Sequence, residues 1–169
     1  VPGFAQALID AFWPGPLTLT LPRRAGVAEA AAGGHATVGL RCPSHPVAQA
    51  LLAACAARGV RGLAAPSANR FGRVSPTTAQ HVAQEFGDAL RVLDGGPCDV
   101  GIESTIVDCT RGAPVLLRPG QIARADIERV TGQRLLLKNE LSAPDPQAPG
   151  TLLAHYAPMA RVRLMDARE

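Results

Sequence analysis

The chain has 169 residues, of which 47% are hydrophobic and 18% charged, and its formal net charge is +3. This balance excludes an intrinsically disordered chain, which has too few apolar residues to form a core, and no apolar run is long enough to cross a bilayer. The basic residues form no arginine-rich block of the kind that binds nucleic acid. The composition predicts a single globular domain in the cytoplasm. The four cysteines are predicted to be reduced thiols, because they form no C-x-x-C pair and follow no secretory signal.

Hydrophobic periodicity divides the first sixty residues into two helices and two strands. The first helix is indicated by apolar residues at helical spacing and the first strand by the alternation in LTLTL. The second helix is indicated by a serine that precedes a proline. In chain order, we expect a helix over 4–12, strands over 17–21 and 36–41, and a helix that Ser44 caps and Gly59 ends.

The stretch AAPSANRFGRVSPTTAQHV (64–82) concentrates polar residues in front of a predicted helix that begins at Ser75 and Pro76. A helix N-terminus presents free backbone N–H groups and the positive end of a dipole, so it favours a bound anion. Ser67 and Ser75 add hydroxyl groups, and Asn69 suits a tight turn. Ser75 has a second interpretation, in which it only caps the helix. The stretch is therefore either a capped helix start or an anion site.

The rest of the chain predicts short strands separated by turns, such as those at DGGP and RGAP. Strands and helices do not alternate strictly, and this indicates an α/β fold whose twisted sheet is partly parallel and partly antiparallel, flanked by helices. The further predicted elements are strands over 63–65, 91–93, 104–108 and 115–118, and helices that end at Gly87 and span 124–131.

The segment SAPDPQAPG (142–150) is rich in proline and poor in large apolar residues, and it predicts a linker. His155 and Tyr156 follow it, where a lid would place hydrogen-bonding side chains. A new apolar strand begins near Val162. We therefore expect both ends to be truncated and the chain to comprise an α/β domain over 1–141, a linker or lid over 142–160 and the start of a second domain over 161–169.

Two arginines, Arg41 and Arg118, each end a predicted strand, and α/β sheets bind ligands at the carboxyl ends of strands. Guanidinium groups there suit a carboxylate and a phosphate, although structural salt bridges are an equal alternative. Ser104 stands at the head of another strand. The chain has no Walker or Rossmann glycine motif and no G-x-S-x-G elbow, so neither a standard phosphate loop nor a catalytic triad is predicted. No metal site is predicted either, because no second ligand pair accompanies Cys42 and His45.

Six segments spread over nearly the whole chain form one ordered set: FWPGPLTLTL (12–21), TVGLRCPSHPVA (37–48), AAPSANRFGRVSPTTAQHV (64–82), LDGGPCDVGIESTIVD (93–108), LLRPG (116–120) and APGTLLAHYAP (148–158). In order and spacing, this set resembles the YrdC-like threonylcarbamoyl-AMP synthases. The family has a twisted, mixed α/β sheet around a positively charged cleft, in agreement with the elements predicted above. The HYAP segment resembles the interdomain linker of the family's longer form.

The resemblance implies an enzyme that joins L-threonine, bicarbonate or CO₂, and ATP into threonylcarbamoyl-AMP and releases pyrophosphate. Mg²⁺ would arrive with ATP, bound through phosphate oxygens and water. Partner proteins would transfer the threonylcarbamoyl group to certain tRNAs, and a weak contact with tRNA is compatible with this role. No membrane contact is implied.

The family also implies roles for individual residues, although it assigns no catalytic nucleophile. The threonine pocket would comprise Arg41 on the carboxylate, Ser104 against the substrate and Ala65 in the lining. ATP would be bound by Thr37, Ser67, Ser75 and Arg118, with Asn69 shaping the loop and His155 or Tyr156 closing over the nucleotide. A family segment resembling PTETVYGL, which helps to bind both substrates, has no counterpart in this sequence. We therefore expect the 169-residue chain alone to be weakly active or inactive.

The sequence leaves two other functions open. One is a carbamoyl-adenylate-forming carbamoyltransferase domain of the hydrogenase-maturation type, which shares this kind of fold but is disfavoured by the HYAP segment. The other is an RNA-binding or ribosome-maturation module. The second is disfavoured because a net charge of +3 with one tryptophan and one tyrosine offers little surface for phosphates or stacked bases.

Overall fold

The structure is a computed structural model, and it describes residues 1–141. The described residues fall into two compact units, one made of residues 1–64 and 100–141 and the other of residues 65–99. The predicted linker over 142–160 and the segment 161–169 lie outside the described residues. His155 and Tyr156 lie outside them as well, so their predicted role stays a prediction.

The first unit contains a five-stranded mixed sheet in the order β2-β1-β3-β4-β5. β1 pairs with β2 in the antiparallel sense and with β3 in the parallel sense, while β4 is antiparallel to β3 and parallel to β5. The predicted mixed α/β fold is confirmed. The strands are β1 Leu17–Pro22, β2 Thr37–Arg41, β3 Thr105–Asp108, β4 Val115–Arg118 and β5 Leu136–Leu137.

The alternation in LTLTL puts three leucines on one face of β1 and the threonines on the other. The leucine face packs against two helices, α1 (Gly3–Phe12) and α4 (Arg124–Thr131), to form the main core. Both helices were predicted with nearly these bounds. Fully buried residues of this core include Leu8, Leu17, Leu19, Val107 and Ile127. The threonine face of β1 is left to carry polar groups.

Helix α2 (Pro46–Ala56) begins one residue later than predicted. Its N-cap is His45, whose Nδ1 accepts a hydrogen bond from the backbone N–H of Val47 at 3.3 Å. The assignment of Ser44 as the cap is therefore wrong. The cause is Pro46, because a residue before proline is pushed to extended backbone and so forms the helix boundary.

In the second unit, helix α3 (Ala79–Phe86) begins later than the predicted start at Ser75 and Pro76. The carbonyl of Thr77 accepts from the N–H of Cys98 at 2.8 Å, and the N–H of His81 is bonded to Thr78 Oγ1 at 3.2 Å. The helical bond from His81 to Thr77 is thus replaced, and Thr78 is the N-cap. Ser75 is not the cap of this helix, which ends at Gly87 as predicted.

The predicted strands over 63–65 and 91–93 are absent from the described residues, and both segments lack regular secondary structure. Their large apolar residues stay exposed, with Leu63 at 47% and Leu93 at 66% of full accessibility. A strand requires a neighbour to satisfy its backbone groups, and no described strand lies beside either segment. The sequence pattern also missed β5.

Within residues 1–141, no helix is long and apolar enough to span a bilayer. All four cysteines lie in this part of the chain, and none of them forms a disulfide.

Candidate functional site

Polar side chains meet on the threonine face of the sheet in the first unit. Thr18 of β1 lies directly opposite Arg41 at the end of β2. On the other side of β1, Thr18 pairs with Ile106 of β3, and residues two apart in a strand share a face, which places Ser104 beside it. We call Thr18, Arg41, Ser104 and Arg118 the sheet-face cluster. Two of the predicted threonine-pocket residues, Arg41 and Ser104, belong to it.

Ser104 is held from two sides within this cluster. Thr18 Oγ1 and Ser104 Oγ are 2.8 Å apart and share a hydrogen bond. Arg118 donates from Nε and Nη2 to the Ser104 carbonyl at 3.0 and 2.9 Å, and Nη2 also donates to Ser104 Oγ at 3.1 Å. Ser104 is only 4% exposed. Its hydroxyl group therefore has a defined position before any ligand binds.

Arg41 differs from Arg118 in its surroundings. Its side chain is exposed, and among residues 1–141 it forms neither an ion pair nor a hydrogen bond. The alternative of a structural salt bridge for Arg41 is thus unsupported by the described residues. An exposed guanidinium opposite a hydroxyl-bearing strand suits a planar anion such as a carboxylate.

The chain segment after β4 passes very close to Ser104. A Cβ atom added to Gly120 would lie 2.5 Å from the Glu103 carbonyl oxygen and 2.7 Å from the Ser104 carbonyl carbon. The next turn is fixed by Thr105, whose Oγ1 accepts from the Ile122 N–H at 3.1 Å. The RPG sequence after β4 therefore permits a close approach that no residue with a side chain could make.

The turn before β1 contacts the segments on either side of the cluster. Gly15 donates its N–H to the Cys42 carbonyl at 2.8 Å, directly after Arg41, and the Pro16 carbonyl accepts from the Thr105 N–H at 3.0 Å, directly after Ser104. The FWPGPLT motif thus orders both edges of the cluster. Sequence reasoning did not select Thr18, although the alternation in LTLTL was the signal that placed it on the polar face.

Thr37, predicted to bind ATP, also faces this side of β2, because it is four residues from Arg41. Four residues of strand span about 13 Å, so the two side chains lie at opposite ends of β2. Thr37 is therefore separate from the sheet-face cluster, and its predicted role stays a prediction.

The second unit contains a pocket of about 260 Å³, which we call the loop pocket. Two predicted ATP residues, Asn69 and Ser75, line it. Asn69 Nδ2 donates to the carbonyls of Arg70 and Arg73 at 3.0 and 3.1 Å, and Ser75 Oγ donates to Asn69 Oδ1 at 3.5 Å. Asn69 thus holds two backbone carbonyls of the loop, and its predicted role toward ATP stays a prediction. The full lining is Ala68, Asn69, Val74, Ser75, Pro76, His81, Gln84 and Glu85.

Two arginines beside the loop pocket are paired with one carboxylate. Glu85 lies 3.7 Å from Arg70 Nε and 3.8 Å from Arg73 Nη1, and the Arg70 guanidinium also lies 5.6 Å from the centre of the Phe86 ring. Two cations against one anion leave a net positive charge at this loop. Ala65 and Ser67, also predicted to bind substrates, are exposed and lie outside the lining of the loop pocket.

A wider, open concavity of about 620 Å³ lies along α4, and no predicted site residue lines it. Its arginines are paired with neighbouring carboxylates: Arg124 with Glu128 at 2.9 Å, Arg129 with Asp126 at 2.7 Å, and Arg134 with Glu140. The larger concavity therefore presents compensated charges and does not favour an anion.

The described residues also limit the chemistry of the site. Burial, together with the adjacent carboxylate of Asp108, raises the pKa of the Cys109 thiol to about 12, which makes it a poor nucleophile at neutral pH. Within residues 1–141, no three His, Cys, Asp or Glu side chains are grouped to hold a metal ion. The described arrangement consists of guanidinium and hydroxyl groups, which suit anions.

The fold and the sheet-face cluster define a mixed α/β protein with an exposed guanidinium beside two hydroxyl groups on one face of its sheet. The family model of Sua5, YciO and YrdC, described as "Telomere recombination", matches residues 1–120, and the chain belongs to this family. A second model, described as "Threonylcarbamoyl-AMP synthase, C-terminal domain", matches residues 122–169.

Named relatives extend this match over nearly the whole chain. The threonylcarbamoyl-AMP synthase of Pyrococcus abyssi (strain GE5 / Orsay) is 41% identical over 98% of this chain and 48% of its own length. That of Bacillus subtilis (strain 168) is 40% identical over 98% of this chain and 47% of its own. The chain thus spans about half the length of these relatives.

A solved structure agrees with this relationship. The crystal structure of P. abyssi Sua5 complexed with L-threonine superposes with a TM-score of 0.83 at 42% identity, covering 95% of this chain and 47% of that one.

Proposed function

We propose that the full-length protein synthesises L-threonylcarbamoyl-AMP from L-threonine, bicarbonate or CO₂, and ATP, with release of pyrophosphate. The family relationship and the synthase names of the relatives support this proposal. The observation that carries it is the sheet-face cluster, in which an exposed guanidinium lies opposite a pair of hydrogen-bonded hydroxyl groups. This donor set suits an amino acid with a carboxylate.

On the amino-acid side, we assign Arg41 to the threonine carboxylate. Arginine offers two parallel N–H donors to a carboxylate, and Arg41 has no competing partner among the described residues. Ser104 would contact the rest of the amino acid, with its hydroxyl group held by Thr18 and Arg118. Ala65 is also assigned to L-threonine, on the basis of the resemblance alone.

On the nucleotide side, we assign Ser67, Asn69 and Ser75 to ATP, chiefly to its phosphates. The net positive charge beside the loop pocket supports this assignment, since Arg70 and Arg73 share one carboxylate. Because α3 begins at Ala79, the hydroxyl of Ser75 is not used to cap the helix. The assignments that rest on the resemblance alone are Thr37, Arg118, His155 and Tyr156.

The reaction needs positioning and charge neutralisation more than a nucleophilic side chain. The threonine amine bonds to the carbon of CO₂ and loses a proton, giving a carbamate. When bicarbonate is the source, its C–OH bond breaks and the oxygen leaves as water. A carbamate oxygen then bonds to the α-phosphorus of ATP while the bond to the bridging oxygen breaks, and pyrophosphate leaves with the electron pair. Mg²⁺ would enter with ATP, bound largely through phosphate oxygens and water rather than by a protein cage.

The product carries an activated threonylcarbamoyl group. We propose that tRNA-modifying transferase proteins consume it in the cytoplasm, and that direct contact of this chain with tRNA is weak. Tight binding of unmodified tRNA at moderate salt, with a steep decrease as salt rises, would instead favour an RNA-binding module.

The test is pyrophosphate release by the full-length protein with each substrate omitted in turn. We expect release only when L-threonine, bicarbonate and ATP are all present, and L-threonylcarbamoyl-AMP as the product identified by mass spectrometry. Release that persists without threonine and is supported by carbamoyl phosphate would contradict the proposal and favour the carbamoyltransferase. Running the same assay on the 169-residue chain tests the expectation that it is weakly active or inactive alone.

A further inference from the structure

Thr18 is the one member of the sheet-face cluster to which the family resemblance assigns no role. It lies on β1 between Arg41, which is opposite it on β2, and Ser104, to which it is hydrogen-bonded at 2.8 Å. Its side chain is half-buried, and Ser104 beneath it is nearly fully buried. Within residues 1–141, Thr18 is thus the only residue of β1 that is hydrogen-bonded to the Ser104 hydroxyl.

The hydrogen bonds around Ser104 leave one hydroxyl hydrogen unused. A guanidinium has no acceptor, so Arg118 Nη2 must donate to Ser104 Oγ. Thr18 and Ser104 have two hydroxyl hydrogens between them, and only one can lie in the bond that joins them. Among residues 1–141, no other group accepts the second hydrogen. Whichever hydroxyl donates to the other, the pair directs one O–H group away from itself.

We infer that Thr18 is a positioning residue of the amino-acid pocket. Its hydroxyl fixes the rotamer and the hydrogen direction of Ser104, so that the pair presents a single O–H donor to an acceptor oxygen of the bound amino acid beside the Arg41 guanidinium. This inference rests on the proposed function for the identity of the ligand. It adds to that function a residue that sets the affinity for the amino acid rather than for ATP.

Replacing Thr18 with valine tests the role of its hydroxyl group with little change in side-chain shape. A valine at this position keeps the branched side chain that suits a strand but removes the hydroxyl group. Ser104 Oγ would then keep Arg118 as a donor but lose the hydroxyl group that orients it. A serine at position 18 restores the hydroxyl group and loses only a methyl group.

The experiment measures the Kd of L-threonine by calorimetry, and the KM values of L-threonine and ATP, for full-length Thr18→Val, Thr18→Ser and wild type. We expect Thr18→Val to raise the Kd and KM of L-threonine about tenfold with little change in the KM of ATP. Thr18→Ser is expected to stay within about threefold of wild type.

Thr20→Val is the matched control, because Thr20 lies on the same face of the same strand and its side chain has no hydrogen bond among the described residues. We expect it to bind L-threonine as wild type does. The variant Thr18→Val is also combined with Ser104→Ala. If Thr18 acts through Ser104, adding Thr18→Val to the Ser104→Ala variant should change the Kd of L-threonine by less than about twofold.

Several outcomes would overturn the inference. A Kd for Thr18→Val close to that of wild type, an equal loss in Thr20→Val, or an undiminished effect in the Ser104→Ala background would each do so. If wild type binds no L-threonine at all, the proposed function fails and this inference fails with it. If wild type binds and Thr18→Val binds equally well, only this inference fails.

Discussion

Gly120 is the residue at which the structure leaves least room for change. The backbone after β4 lies against the Glu103–Thr105 backbone so closely that an added Cβ would be within 3 Å of three backbone atoms. Backbone atoms cannot move aside as a flexible side chain can. The position of Ser104 therefore depends on a glycine sixteen residues further along the chain.

We predict that Gly120→Ala destabilises the protein by about 3 kcal/mol, because overpacking against backbone forces a shift of the β3 start. The measurement is the free energy of unfolding in urea. Gly101→Ala is the matched control, since a Cβ there would meet nothing within 4 Å, and we expect it to change stability by less than about 0.5 kcal/mol. Equal stability of the two variants would show that the segment after β4 does not pack as described.

At the scale of single residues, the sequence could predict side chains whose chemistry is unusual for their context. Arg41 and Ser104 were selected in this way and then through the family resemblance, and the structure places both in the sheet-face cluster. Thr18 was not, because a threonine in an alternating strand is ordinary. What makes it notable is a contact with a residue 86 positions away, and no local pattern records such a contact.

Among the elements, α3 begins later than its sequence signal predicts. Ser75 and Pro76 form a standard helix start in sequence, but the Thr77 carbonyl is bonded to Cys98 and Thr78 caps the helix. A non-local hydrogen bond thus outweighs a local signal. The anion-binding argument based on a helix N-terminus at Pro76 is wrong, whereas the assignment of Ser75 to ATP does not depend on it.

We predict that Thr78→Ala removes about 1 kcal/mol from the stability of α3. The measurement is hydrogen exchange of the α3 amides, for which this loss corresponds to about fivefold lower protection. Thr78→Ser keeps the capping oxygen and should retain protection close to that of wild type. Ser75→Ala should leave the α3 amides protected, and a loss equal to that of Thr78→Ala would restore Ser75 as the cap.

The connection between α4 and β5 depends on ionised carboxylates. Glu128 Oε1 accepts from the Leu135 N–H and from Arg124 Nε, both at 2.9 Å, and the bond from Leu135 is the main cause of its lowered pKa. The pKa of Glu140 is lowered chiefly by the bond from the Leu137 N–H. Protonation of either carboxylate weakens these bonds.

We predict that acidification destabilises this connection. A carboxyl with a lowered folded pKa contributes stability above its unfolded pKa and loses it as the pH falls through the folded value. The urea midpoint of wild type should therefore fall on acidification below about pH 4.5, and Glu128→Gln should show a shallower decrease. Glu29→Gln serves as the control, because Glu29 has only a 4.0 Å ion pair with Arg23 and is 70% exposed. A wild-type slope for Glu128→Gln would contradict the prediction.

The sequence predicted those elements whose stability is local or whose alternation is strong, namely α1, α4 and β1 to β4. It failed at 63–65 and 91–93, where short apolar runs have the composition of strands. A strand also needs a partner, and pairing is a property of the whole sheet. Two-residue β5 is the opposite case, since its pairing with β4 exists without any periodic signal.

At the scale of the whole molecule, the two groups of residues whose geometry supports the proposed roles belong to different units, whereas the roles of Thr37, Arg118 and Ala65 rest on the resemblance alone. The threonine carboxylate and its neighbours are assigned to Arg41 and Ser104 in the unit made of residues 1–64 and 100–141. The loop that is assigned to ATP, with Asn69 and Ser75, belongs to the unit of residues 65–99. The mixed sheet could be predicted from the sequence, but this division could not, because it follows from contacts between distant segments.

This division predicts two separable kinetic effects in the full-length protein. Arg41→Lys and Ser104→Ala should raise the KM of L-threonine by about tenfold or more, because each removes a bond to the amino acid. Asn69→Ala and Ser75→Ala should instead raise the KM of ATP, because the first releases the loop carbonyls that Asn69 holds and the second removes a hydroxyl group.

Two controls in the described chain match these substitutions. Arg61→Lys and Ser44→Ala change exposed residues that have no side-chain partner within residues 1–141, and we expect both KM values to stay near wild type. Steady-state pyrophosphate release with one substrate varied at a time measures all six variants. If Arg41→Lys and Asn69→Ala raised the same KM, the assignment of threonine to the sheet-face cluster and of ATP to the loop pocket would be wrong. Separate effects would mean that each unit contributes its own substrate contacts, since neither substitution alters residues of the other unit.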